Sequence, residues 1–137
     1  MATFNKFNCF VRDLGDKVHD LDADALKIYL TNATPDAAAD SVKTDLAEIT
    51  NQNGYTAPVD VTGVWSLSGS TGQLTGTDVV ITATGAVGPF RYAVLYNDTP
   101  TSPADPLIGW WDYASSISLA NGETFTVDLA ATILTIA

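Results

Sequence analysis

The sequence is short of reactive and of basic side chains. Its 137 residues hold one cysteine, Cys9, and one histidine, His19. A lone cysteine excludes an internal disulfide. A structural zinc site asks for three or four His, Cys or carboxylate ligands, and this chain supplies one imidazole and one thiol. Nucleophilic catalysis pairs Ser or Cys with His. On one continuous helix, ten positions would put Cys9 and His19 nearly three turns apart on different faces. Cys9 therefore reads as a packed small residue. His19 reads as a helix-end residue that favours the C-terminal dipole. There is no G-x-S-x-G elbow, and Gly69 and Gly72 lack the lysine of a phosphate-cradling loop. No residue is assigned a catalytic, cofactor-binding or metal-binding role, and no cofactor is expected.

Positive charge is scarce as well. Six Lys and Arg face sixteen Asp and Glu, a formal net charge of -10, and Arg91 is the one basic residue beyond Lys43. Nucleic-acid binders neutralise phosphates with clustered Lys and Arg. The expected partners therefore include no nucleic acid and no anionic membrane. The excess acid reads as solubility and self-avoidance, or as a match to a basic partner surface. No run approaches the ~20 apolar residues of a membrane span. The segment from Met1 to Asp24 lacks a basic stretch followed by an apolar one, so it is not read as a signal peptide, and synthesis in a cytoplasm is expected.

What is present is enough for one globular domain. Apolar residues make up 46% of the chain, an ordinary share. A domain of this length buries roughly two-thirds of its unfolded surface. The expected division is one domain over 1–137, with an N-terminal helix and hinge at 1–22 and a β-sandwich at 23–137. Phe4, Phe7, Phe10, Val11, Leu14 and Val18 recur at helical spacing, with Lys6, Arg12, Asp13, Asp16 and Lys17 between them. That pattern predicts one amphipathic helix, capped by Thr3.

Asp20, Asp22 and Asp24 form a polar hinge that imitates the opening of a calcium loop. Ala25 and Thr31 stand where such a loop needs Gly and Glu, so a solvated turn is favoured and weak calcium binding stays open. Leu26–Thr31 alternates as a half-buried strand. Residues 32–44 read as a loop, and Asp45–Ile49 as one helical turn. Further strands are expected at Val61–Leu67, Asp78–Thr84, Phe90–Tyr96, Leu107–Tyr113, Ile117–Leu119, Thr124–Leu129 and Ile133–Ile136. Ser68–Gly72 reads as a flexible turn and Ala120–Gly122 as a hairpin turn. Phe90–Tyr96 is apolar on both faces and is placed centrally. Seven or eight short strands with turns between them suggest a mainly β fold, jelly-roll-like or a β-sandwich.

Several segments then follow in a telling order: Phe4-Asn5-Lys6-Phe7-Asn8, Val18-His19-Asp20, Leu26 to Asn32, Glu48-Ile49, Asn53-Gly54-Tyr55, Gly88 to Asp98, Pro106 to Tyr113, and Gly122 to Phe125. This order resembles small virion proteins of tailed bacteriophages and is similar to head decoration, or cement, proteins. Gly88–Asp98 is the most specific part, and Thr56–Gly85 carries little of the match. The resemblance implies a structural protein of the phage head surface, assembled in the host bacterial cytoplasm. It implies a jelly-roll-like fold and two partners, the major capsid protein and copies of itself, as a homo-oligomer and most often a trimer. It carries over no catalytic residue. Phe4, Phe7, Phe10, Arg91, Trp110, Trp111 and Tyr113 are the candidate interface residues. Other readings are a tail or neck component, a carbohydrate- or receptor-binding module using Trp110, Trp111 and Tyr113, or a hydrolase whose paired carboxylates no motif singles out.

Overall fold

The computed structural model describes residues 2–137. The chain is mainly β, with 46% of it in strands, one short N-terminal helix and antiparallel pairing throughout. In chain order the elements are β1 (Phe4–Lys6), α1 (Asn8–Gly15), β2 (Leu26–Thr31), a 3-10 turn (Lys43–Asp45), β3 (Val59–Asp60), β4 (Val64–Ser68) and β5 (Thr71–Thr75). They continue with β6 (Val79–Thr82), β7 (Val87–Asn97), β8 (Leu107–Leu119), β9 (Thr124–Val127) and β10 (Leu134–Ile136). The strands form a five-stranded sheet in the order β1-β8-β7-β2-β3, a three-stranded sheet β10-β5-β4, and a pair β6-β9.

The five-stranded sheet is covered on both faces, which is why its central strands read as nearly continuous apolar runs. β7 lies in the middle, between β8 and β2. One face carries Leu26, Ile28, Leu30, Phe90, Ala93, Leu95 and Trp111 against Leu74, Val79, Ile81 and Val127 of the smaller sheets and Leu129 and Ile133 of the β9–β10 connection. The other face carries Tyr29, Val94, Tyr96 and Leu107, packed with Phe7, Cys9 and Leu46. Its cover is the segment 32–58, which is irregular yet pinned. Leu107 N–H donates to Ser41 O, Lys43 N–H to Asp105 O and Ile49 N–H to Leu30 O, at 2.9–3.0 Å. Tyr55 Oη accepts Leu30 N–H at 2.8 Å.

The long β7–β8 pair is interrupted by bulges. Gly109 pairs with Leu95 and Leu107 with Tyr96, so Ile108 is the extra residue. A bulge of this kind restores alternation after a slip of one. Trp110 and Trp111 then fall on opposite faces. Gly109 is also where β1 crosses β8. A Cβ there would collide with the Phe4 ring and the Asn5 carbonyl.

Several local expectations are corrected. The helix does not begin at Thr3: Phe4–Lys6 is an edge strand paired to β8, and Phe7 occupies the N-cap without a side-chain cap. The Phe spacing of three satisfied the helical period, but ladder bonding to β8 decides the backbone of the first two. Val11 is 55% exposed, whereas Asp13 is buried and bound by Arg12 at 2.9 Å. The helical turn lies at Lys43–Asp45, not at Asp45–Ile49. Thr71–Thr75 is a strand, so only Gly69 and Ser70 turn between β4 and β5. Ala120–Glu123 does turn, but its flanking strands do not pair. β9 pairs with β6, and the turn carries the chain from one sheet to another.

Candidate docking surface

The aromatic residues singled out by the sequence are mostly interior. Phe7, Phe10 and Trp111 are at most 3% exposed, so they are not contact residues for a partner. Phe7 packs on Trp110 with ring centroids 4.5 Å apart, and Phe4 on Trp111 at 5.0 Å. Tyr113 meets Phe125 edge-on at 4.9 Å. Trp110, Trp111 and Tyr113 thus contact three different partners and form no common platform for a sugar ring: Trp110 points to the opposite face from Trp111 and Tyr113, and Trp111 is buried. Arg91 is half-buried and makes two parallel bonds to Asp112, at 2.8 and 3.0 Å. That fork ties β7 to β8 across their irregular stretch, and it holds the Asp112 carboxyl below the usual carboxylate range.

The two groups with nucleophilic or titrating potential are buried apart. Cys9 Sγ–H points to Leu107 O at 3.5 Å, and burial pushes its pKa up to about 11, so the thiol stays protonated. His19 is 8% exposed and lies beyond the end of α1, against Phe10 at 5.2 Å. Burial pushes its pKa down, against the opposing pull of Asp13 and Asp24. It is therefore not the charged helix-end group expected from the sequence. The fully buried Asn97 donates from Nδ2 to His19 Nδ1 at 3.1 Å and to Asp24 Oδ2 at 2.7 Å. That pattern assigns the ring proton to Nε2, which has no partner; Asp13 Oδ2 is likewise buried and unpaired.

The acidic hinge is a turn closed by its own carboxylates. Asp20 Oδ1 accepts the N–H groups of Asp22 and Ala23, and Asp24 Oδ2 accepts that of Asp20. Asp36 and Asp40 repeat the arrangement with Ala38, Ala39 and Asp36 N–H. Each is a single helical turn, with one Asp capping its start and the other reaching back, which is a two-residue version of reciprocal capping. Among the described residues no group of three His, Cys, Asp or Glu is arranged to hold a metal ion.

The uncovered apolar surface lies elsewhere. Register places Trp65, Leu74 and Leu134 in one row across the three-stranded sheet, and Leu67, Gly72 and Ile136 in the next row on the same face. The first row packs on the core. The second overhangs it: Leu67 is 74% and Ile136 36% exposed. Gly72 leaves room for the Trp65 ring, whose Cη2 would be 2.8 Å from any added Cβ. Beneath this ledge is a cleft of about 480 Å³, bounded on the other side by residues 17–24. Leu14, Trp65 and Ile136 give it an apolar wall, and Asp20, Asp22 and Asp24 a carboxylate rim. A second hollow of about 230 Å³ shares Leu14 and Ile136 and continues the apolar seam past Phe10 and Val11.

The sequence marked the parts of this surface, an apolar stripe through Val11 and Leu14, the Asp20–Asp24 hinge and strands at Val61–Leu67 and Ile133–Ile136, but not their meeting, because they come from three distant stretches. A cavity of about 390 Å³ at the β8 irregularity holds Asp112 and Asp128, but Asp112 is already engaged by Arg91. Comparison of the chain with protein-family models, with curated proteins and with solved structures finds no match.

Proposed function

We propose that this protein is a structural component of a tailed-bacteriophage virion, a decoration protein that binds the major capsid protein lattice on the head surface. The observation that carries the reading is the apolar seam from Val11 through Ile136 to Leu67 on an acidic β domain. Exposed apolar strips of this kind mark contact with other molecules. A decoration protein needs a rigid body and an apolar grip, and no chemistry. Four of the six cationic side chains are tied to carboxylates of their own chain, which stiffens the domain and leaves its surface acidic.

The reading includes a jelly-roll-like arrangement. It is supported by antiparallel pairing throughout and by the passage of the chain between sheets at Val61–Gly63 and Ala120–Glu123. It includes no catalysis, in keeping with a buried neutral thiol and a buried neutral imidazole. Association into trimers belongs to the same proposal.

Quantitative mass spectrometry of purified particles tests it. The expected result is a copy number comparable to that of the major capsid protein, with release of the chain on mild heating before the shell opens. A few copies per particle would move the protein to the tail or neck, and its absence from particles would sink the reading.

A further inference from the structure

We propose that the cleft under Trp65 is a docking site for a protein segment that carries a lysine or arginine next to an apolar side chain. The inference rests on the seam being a contact surface, but not on the particle to which the chain belongs. The cleft offers two unlike walls. Leu14, Trp65 and Ile136 would bury an apolar side chain, and Leu67 extends that wall outward. The facing rim carries Asp20, Asp22 and Asp24 against a single ammonium, Lys17, and the adjacent His19 is neutral. Three negative charges and one positive leave the rim at -2.

Each of the three carboxylates keeps an oxygen for a ligand. Asp20 uses Oδ1 and Asp24 uses Oδ2 in holding the turn, while Asp22 makes no hydrogen bond through its side chain. The turn is thereby set before any ligand arrives, so little ordering is needed on binding. Trp65 adds an aromatic ring beside the carboxylates, a favourable setting for a guanidinium or ammonium. Anionic ligands meet the rim charge unfavourably. A neutral sugar would use the indole but would gain nothing from the excess of negative charge. A second copy of the chain is a poorer match, because Lys27, Lys43, Arg91 and Arg12 are already paired within their own copy, which leaves Lys6 and Lys17, and Lys17 belongs to the rim itself.

The test is an NMR titration of the isotopically labelled full chain with three short synthetic peptides of alternating design: Lys/Arg with Leu, Gln with Leu, and Glu with Leu. The expected result is saturable shifts confined to the Trp65 indole N–H, Leu67, Ile136 and residues 14–24, with the basic peptide alone. Asp22→Lys should weaken that binding about tenfold and Lys17→Glu should strengthen it about threefold, the scale of one well-placed charge pair. Both side chains are exposed, so neither change should move the thermal midpoint. The proposal is overturned if the Gln or Glu peptide binds equally well, if affinity ignores both charge changes, or if the same residues shift only with protein concentration, which would make a second copy the occupant. Failure of the particle assay with success here would leave the cleft assigned and the virion reading lost.

Discussion

His19 is the residue whose environment conflicts most with its chemistry. Its ring is enclosed by Phe10 and Asn97, and burial favours the neutral form. In the unfolded chain the imidazole takes up a proton near its ordinary 6.5, whereas the folded chain resists until a lower pH. Stability is therefore complete above about pH 6.5 and declines as pH falls through the folded value. A separate decline follows below the ordinary carboxylate range, because Asp45, Asp98 and Asp112 are held under it by backbone N–H groups, Lys27 and Arg91. Urea midpoints measured against pH should show both phases, and His19→Leu should abolish only the first. An unchanged slope between pH 6.5 and 5 in that variant would refute the assignment. Gly109 is a second residue with one permitted identity. Gly109→Ala places a methyl group in the Phe4 ring and the β1 backbone. Overpacking of that kind costs about 1–3 kcal/mol, and loss of amide protection at Phe4–Lys6 should accompany it.

Individual elements differ in how plainly the sequence announced them. β2, β7 and the first half of β8 were legible because alternation and β-branched or aromatic residues agree with where they lie, whereas the expected separate strand Ile117–Leu119 is the end of the same continuous β8. β1 was not, since Phe4, Phe7 and Phe10 fit a helix as well as a strand followed by a helix, and only the distant Gly109–Trp111 resolves the choice. β5 was not, since Thr-Gly-Gln-Leu-Thr has a single large apolar residue and owes its conformation to the neighbours on both sides, β4 and β10. The Asp-rich loops were read correctly as turns, but their mechanism is visible only in the hydrogen bonds. It predicts that Asp36→Ala, which strips the partners of Ala38 and Ala39 N–H, costs about 1 kcal/mol, while Asp36→Asn costs a fraction of that because the amide oxygen still accepts. Thermal unfolding of the two variants checks the ordering.

At the scale of the whole molecule, the fold class was readable and the contact surface was not. Periodicity reports which face of each strand is inward, and so leads to a mainly β domain. It says nothing about where two sheets fail to overlap. The ledge exists because β4 and β10 extend one row past the core, a property of how sheets are offset and not of any residue run. Large aromatics are the conspicuous candidates in the sequence, and Phe7, Phe10 and Trp111 among them hold the interior together. The acidic balance was read first as solubility and self-avoidance, with a basic partner as the alternative, and the carboxylate rim at residues 20–24 is where the proposed docking site would meet such a partner.

The double covering of the main sheet separates the molecule's interior into two oily compartments with β7 as the shared partition. Water must breach one compartment completely before it reaches the partition, and either wrapping can loosen while the other stays shut. Deuterium should accordingly enter Val94 and Leu95 last of all amides, after the 32–58 wrapping and the β6–β9 pair have each exchanged at their own rates. Lengthening the chain within one wrapping should leave the other's rate untouched.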